Sequence, residues 1–167
     1  MNSDSNIYTD LKVIAHQEEI LQFTRFDQST AWAIGLQLKE LCEANGVAVS
    51  IEIRLNRETV FFYAMLGTTP SNADWARRKR NTVELLHQSS YAVGLSLKQE
   101  QDSLELKMGL TARDFATHGG SFPIRVQGIG CVGVATISGL PQREDHNYVV
   151  NVLSVWLNKP LGDQILS

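Results

Sequence analysis

The sequence contains very little cysteine and has no long apolar run. Only Cys42 and Cys131 occur among its 167 residues, so a disulfide framework is not indicated and two free, buried thiols are expected. No segment approaches the ~20 apolar residues that cross a membrane. The first ten residues, MNSDSNIYTD, hold neither a basic region nor an apolar run. These absences predict a cytoplasmic protein without a membrane partner.

An excess of charge of one sign is also missing. The 15 basic and 18 acidic residues give a formal net charge of −3, so the overall electrostatics do not predict nucleic acid as a partner. We find no internal repeat and no low-complexity tract. With 43% hydrophobic residues, the chain fits one globular domain over residues 1–167.

Paired runs of β-branched residues predict a sheet. Residues 121–126 and 129–138 flank the dipeptide Gln127-Gly128, and residues 47–55 and 58–66 flank Asn56-Arg57. Two-residue turns join only antiparallel strands, so each pair is a predicted hairpin. Residues 129–138 and 60–66 are small or apolar on both faces, which predicts strands covered by helices on both sides. Residues 20–23 form a brief fifth strand candidate.

Apolar residues spaced three and four apart predict the helices. We expect a lid or interface helix over 4–18 and a second helix over 27–45 with Asp27 as its N-cap. A third helix is expected from about 72 to 89, with Ser71 and Asp74 as its caps. Two more are expected over 91–98 and 141–158. Residues 99–115 are ambiguous, with one helical turn expected near Ala112. The tail, 161–167, is expected to be disordered or to reach a neighbouring subunit. The order of elements predicts an α/β, strictly α+β, layered domain.

Three segments carry a family resemblance: residues 75–83 (WARRKRNTV), 118–126 (HGGSFPIRV) and 138–146 (SGLPQREDH). They resemble the small proteins that include GlcG and the haem-binding protein HbpS, in an uncharacterised bacterial and fungal branch. The resemblance covers the chain from about residue 28 onward. It implies a profilin-like sheet with helices on both faces, and homo-oligomers. It also implies haem binding or breakdown for some relatives and a chaperone-linked partner role for others.

Four consecutive cations, residues 77–80, follow Trp75 on a predicted helix. Such a run is usually a solvated face. The alternative is an anion site, because helical spacing turns Arg78 and Thr82 toward the apolar face. An inward Arg78 needs either an ion pair with a nearby acid, Asp145 or Glu144, or a ligand carboxylate.

Two histidines lie in the remaining candidate segments. His118 precedes a glycine pair and a strand, and His146 lies in the first turn of the last helix. A lone histidine is more often a structural hydrogen-bonding group, but two on flanking loops could bind haem iron or a metal. The glycines between residues 119 and 133 either make room for a close neighbour or allow positive φ in turns. The predicted ligand-binding set is Trp75, Arg78, Lys79, His118, Gly119, Gly120, Arg143, Asp145 and His146, and the adjacency of its segments is part of the prediction.

Catalytic and metal-binding motifs are not recognisable. The sequence has no HxxxH or CxxC spacing, no G-x-S-x-G elbow, and a GIGCVG run that lies inside a strand. Two hypotheses follow. One is a binding protein for a small anionic or tetrapyrrole ligand, with haem as a possible cofactor; haem degradation would need an oxygen-handling pocket that the sequence does not display. The other is a non-enzymatic homo-oligomeric interaction protein or chaperone-linked adaptor, suggested by apolar and aromatic residues on outer elements (Ile7, Tyr8, Trp32, Trp75 and Trp156).

Overall fold

A five-stranded sheet forms the centre of the molecule. A computed structural model describes residues 3–167, with side chains from residue 6 onward. The strands are β1 (Gln22–Phe23), β2 (Ser50–Leu55), β3 (Glu58–Ala64), β4 (Ser121–Val126) and β5 (Gly130–Ser138). Their order is β1-β4-β5-β2-β3. Only β1 and β4 pair in parallel, which confirms the predicted mainly antiparallel sheet with β5 at its centre.

Six helices of the described residues, 3–167, surround the sheet. They are α1 (Ser3–Ile20), α2 (Gln28–Ala44), α3 (Pro70–Leu86), α4 (Ser90–Glu100), α5 (Leu104–Met108) and α6 (Gln142–Leu157). The predicted N-cap of α2 is confirmed, because the Asp27 carboxylate accepts a 2.9 Å hydrogen bond from the Thr30 amide. Helix α1 packs against α4 and reaches the start of α6.

The two faces of the sheet differ in chemistry. Helices α2 and α6 cover an apolar face, whose largest buried side chains include Ile51, Phe122 and Ile137. Helix α3 covers the other face, where Glu52 and Arg54 of β2 pair with Arg80 and Glu84 of α3 at 3.1 and 2.7 Å. Burial of the first face supplies most of the hydrophobic stabilisation. The second face is held together largely by polar contacts, and it carries the predicted site.

Strand β3 corrects one prediction. Its expected position between two helix layers is wrong, because β3 is the edge strand. Only Phe61 is buried in the strand itself, whereas Phe62 and Tyr63 are 48% and 37% exposed. The pattern of β3 predicted burial on both faces, but no helix covers its second face. Leu66, just beyond the strand, is fully in solvent.

Two other local expectations were wrong, and a third was confirmed. Helix α3 begins at Pro70, where the Asn72 side chain accepts a hydrogen bond from the Thr69 amide, so Ser71 and Asp74 are not its caps. The helical turn expected near Ala112 is confirmed, because the amides of Asp114 and Phe115 donate to the Thr111 carbonyl at 3.2 and 3.1 Å. The short helix α5, capped by Ser103, precedes this turn and was not predicted. The tail folds back onto its own chain, where the Gln17 and Asn147 amides donate to the carbonyls of Gln164 and Leu166.

Candidate functional site

Lys79 is the cation that α3 turns inward. Its ammonium donates to the Asp145 carboxylate at 3.0 Å and to the carbonyls of Gly119 and Ile137 at 3.0 and 2.7 Å. Asp145 in turn accepts from the amides of Gly139 and Leu140. Burial lowers the pKa of Lys79 and raises the pKa of Asp145, and the ion pair opposes both shifts. The three predicted segments therefore meet at this pair.

Arg78 corrects the prediction made for it. Its guanidinium does not point inward to an acid, but donates twice to the Ala112 carbonyl, at 3.0 and 2.6 Å. Its central carbon also lies 4.2 Å from the centre of the Trp75 ring. Lys79, three residues after Ala76 and four before Val83, lies on the buried side of α3, whereas Arg78 lies at its edge.

Arg77 and Arg80 of the basic run are not a solvated face, because each is paired with an acid. Arg77 pairs with Asp114 at 3.0 Å, and Asn81 donates to the Asp114 carbonyl. Arg80 pairs with Glu52 of the sheet at 3.1 Å. Consecutive residues of α3 therefore attach the helix to different parts of the chain: the loop before β4, strand β2 and the start of α6.

His118 is the most accessible histidine of the predicted set. Its side chain is exposed, and neither ring nitrogen makes a hydrogen bond within residues 3–167. The imidazole meets Trp75 edge to face, with ring centres 4.9 Å apart. Partial desolvation lowers the pKa of His118, and the nearby charges of Lys79 and Arg78 lower it further. A neutral imidazole with free nitrogens is the form that binds a metal.

The glycines after His118 leave no room for side chains. A Cβ on Gly119 would overlap the Gln142 carbonyl. Gly120 has φ +126°, and a Cβ there would lie 2.5 Å from the Ile137 carbonyl oxygen. Close packing therefore explains Gly119, and close packing together with positive φ explains Gly120. The two glycines have a structural role, because this packing fixes the loop immediately beside His118.

His146 lies in the interior of the protein. It is 1% exposed, with its ring near those of Tyr91 and Phe122. Nε2 lies 2.8 Å from the Gln17 side-chain oxygen, whose amide nitrogen already donates to Gln164, so Nε2 carries the proton. Burial lowers the pKa of His146 to about 3. This histidine joins α1 to α6 and does not share the surface of His118.

Three depressions meet at His118. The first, the α1 depression, has a volume of about 330 Å³ and runs between α1, α4 and the start of α6. The second, the α5 groove, has about 320 Å³ and an apolar wall that includes Leu97, Leu104 and Phe115. The third, the α3 cleft, has about 290 Å³ and lies over Trp75, Lys79 and Asp145. Arg143 lines the first, where Asp10 holds it at 2.6 and 3.0 Å.

The sequence reasoning missed two residues of α4. Lys98 lines both the α1 depression and the α5 groove and makes no hydrogen bond or ion pair within the described chain. Gly94 lies one turn earlier, and a Cβ there would overlap the Thr117 carbonyl beside His118. A glycine inside a helix was the available signal, because it is unfavourable without a packing reason.

Two features are absent from the described residues. Within residues 3–167, no three histidine, cysteine, aspartate or glutamate side chains are grouped so that they could hold a metal ion. In the same part of the chain, no helix is long and apolar enough to span a membrane. Iron bound at this surface would therefore not be held by a cluster of three such side chains.

The chain is similar to a described family over most of its length. The family model for haem degrading protein HbpS-like matches residues 26–154. A UPF0303 protein of Serratia proteamaculans is 49% identical over 156 residues, which cover 93% of this chain and 97% of the relative.

Solved structures share the architecture. The crystal structure of the Ybr137w protein aligns with a TM-score of 0.81 at 26% identity, covering 89% of this chain and 88% of that one. HbpS aligns with a TM-score of 0.64 at 20% identity, over 81% and 92% of the two chains. A PduOC:heme complex aligns with a TM-score of 0.59 at 15% identity, over 88% and 91%. The last two likenesses concern the fold alone.

Proposed function

We propose that this chain, which belongs to the HbpS-like family of haem degrading proteins, binds a haem-type tetrapyrrole at the surface around His118. The observation that carries the proposal is the state of that side chain. His118 is exposed, has no hydrogen-bond partner in the described chain, and has a pKa lowered by desolvation and by nearby cations. It is therefore a neutral imidazole with a free nitrogen, which is a common axial ligand of haem iron.

The surface beside His118 suits a planar ring with an apolar body. The α1 depression and the α5 groove share Gly94, Lys98, Thr117 and His118, so they adjoin along one side of α4. Each has a volume near the lower end for ligand pockets, and a ligand that lies across both contacts apolar and polar walls together. The wall of the α5 groove provides apolar contact, and Trp75 supports the imidazole from its edge.

The role of the chain in this proposal is to hold and orient the ligand. Haem, when bound, supplies redox-active iron, and the neighbouring PduOC fold in complex with heme supports the choice of ligand class. Lys79 and Asp145 stabilise the loop that presents His118, because Lys79 holds the Gly119 carbonyl. They act as positioning residues and do not contact the ligand.

An absorbance titration with haemin tests this proposal. The wild-type protein should give a saturable Soret shift at micromolar haemin, and His118→Ala should remove the shift. His16→Ala is the matched control, because His16 is an exposed histidine on α1 outside the three depressions, and it should titrate like wild type. A Soret shift that survives in His118→Ala, or none in the wild type, contradicts the proposal.

A second candidate function is homo-oligomeric association. The β3 edge surface favours it: Tyr63 on the α2 side of the edge strand and Phe62 on its other face are exposed, as are Trp32 and Leu36 of α2 and Leu66 just beyond the strand. Edge strands carry unpaired backbone groups, and exposed apolar residues around such an edge favour association. In this function a second copy of the chain covers the surface, with a chaperone-linked partner as the further possibility implied by the sequence resemblance.

Light scattering coupled to size exclusion tests the second candidate. Phe62→Glu should reduce the measured mass to that of the single chain, because a buried interfacial carboxylate is unfavourable. Leu106→Glu is the matched control, since it places the same charge at an exposed leucine of α5, away from β3. A wild-type protein that elutes as a monomer, or an oligomer unaffected by Phe62→Glu, rules this surface out.

A further inference from the structure

Among the cations near His118, Lys98 stands out because its ammonium contacts no hydrogen-bond acceptor and no acid within the described chain. Arg78 is bound to the Ala112 carbonyl and stacked on Trp75, and Arg143 is held by both oxygens of Asp10. Lys98 makes no ion pair or hydrogen bond within the described chain, not even with Asp102 four residues on. Its position in the last turn of α4 complements the helix dipole, but this does not use its ammonium donors.

The two depressions that Lys98 lines differ in charge. In the α5 groove, Asp102 and Glu105 balance the charges of Lys98 and Arg78. Among the side chains from residue 6 onward, the only acid lining the α1 depression is Asp10, which Arg143 neutralises. With His118 neutral, the described residues around the α1 depression therefore keep one net positive charge, and it belongs to Lys98. An anionic group is therefore favoured in the α1 depression over the α5 groove.

We infer that Lys98 binds a carboxylate of the ligand within the α1 depression and so selects tetrapyrroles with free acid side chains over neutral ones. This inference rests on the proposed function, because it assigns one subsite of the same ligand. The contact is with a solvated ammonium, so its contribution is that of an exposed ion pair. It should also weaken as salt is added.

The test compares haemin with haemin dimethyl ester, which keeps the iron and the ring but has no free carboxylate. Both dissociation constants are measured by absorbance for wild type, Lys98→Gln and Lys12→Gln. Lys12 is an exposed lysine of α1 that does not line the depressions, so its replacement removes the same charge elsewhere. We expect Lys98→Gln to weaken haemin binding about five-fold, to leave the ester unaffected, and to abolish the preference for haemin.

The outcomes separate this inference from the proposed function. If haemin binds and Lys98→Gln matches wild type, or weakens haemin and ester equally, Lys98 does not bind a carboxylate although the haem site stands. An equal loss in Lys12→Gln would assign the effect to net charge and would also overturn the inference. If wild type gives no Soret shift with either compound, the proposed function fails and the inference fails with it.

Discussion

The ammonium of Lys79 lies 3.0 Å from the carboxylate of Asp145, and both side chains are 3% exposed. This pair joins the middle of α3 to the first turn of α6. All three donors of the ammonium are used, since the Gly119 and Ile137 carbonyls accept the other two. The pair is therefore saturated, and it fixes the loop beside His118 without having a group left for a ligand.

Replacing Lys79 by methionine should destabilise the protein by about 3–5 kcal/mol, because Asp145 would remain buried with an uncompensated charge. Urea unfolding measures the change. Lys107→Met removes a lysine from an exposed pair with Glu100 and should change stability by less than about 1 kcal/mol. Adding Asp145→Asn to Lys79→Met should recover part of the loss. If the double variant is as unstable as the single one, the buried charge is not the cause.

Gly120→Ala should be far more damaging than Gly128→Ala. Both glycines have positive φ, but only at Gly120 would a Cβ overlap other atoms, among them the Ile137 carbonyl oxygen at 2.5 Å. Gly128→Ala should lower the free energy of unfolding by about 1 kcal/mol through backbone strain alone. Thermal unfolding of the two variants separates strain from overlap. Equal losses would mean that the surroundings of Gly120 relax freely.

His146 should make the protein less stable in mild acid. Its folded pKa is about 3, below the ordinary value of 6.5, so between these values the unfolded chain binds a proton that the folded chain does not. Stability is therefore complete above about pH 6.5 and declines as the pH falls toward 3. At about 1.4 kcal/mol per pKa unit, the loss by pH 4 is on the order of 3 kcal/mol.

Urea unfolding from pH 7 to pH 4 checks this slope. His146→Gln should flatten it, because glutamine takes up no proton, whereas the exposed His16→Gln should leave it unchanged. The difference between the two variants removes the contribution of carboxylates such as Asp145, whose raised pKa acts in the opposite direction. An unchanged slope in His146→Gln would place the acid sensitivity elsewhere.

The pKa of His118 should rise when Arg78 is replaced by glutamine. Desolvation lowers this pKa first, followed by the charges of Lys79 and Arg78, so removing one charge relieves part of the shift. A titration of the imidazole by nuclear magnetic resonance measures the change directly. Arg77→Gln is the control, because Arg77 pairs with Asp114 and does not contribute to the shift at His118. Equal titration curves for all three proteins would exclude the Arg78 charge as a cause.

Much of the sheet could be predicted from the sequence because each hairpin is local. Alternating apolar residues on either side of Asn56-Arg57 define β2 and β3 without reference to the rest of the chain. The position of β3 at the edge of the sheet could not be predicted in the same way. Exposure depends on which strand lies beside β3 and whether a helix covers it, and its apolar residues fit a buried strand equally well.

For the candidate site, the sequence correctly predicted which segments meet, but it did not predict which side chains make the contacts. The segments of residues 75–83, 118–126 and 138–146 do meet, but the inward cation is Lys79 and not Arg78. Thr82, which was used to orient the helix, is indeed buried. The buried side also includes Ala76 and Val83, and these place Lys79 and not Arg78 at its centre. His146 could not be distinguished from His118 by sequence, because burial separates them and their local surroundings do not.

The contacts of α3 make this helix sensitive to the insertion or deletion of a residue. Residues 77–81 each hold a different group: the Asp114 carboxylate, the Ala112 carbonyl, the Asp145 carboxylate, the Glu52 carboxylate and the Asp114 carbonyl. Inserting or deleting a single residue before them would turn all five side chains by about 100° around the helix axis. All five contacts would be disrupted together. This helix therefore tolerates exchanges of individual side chains far better than any change in the number of residues that precede Arg77 within it.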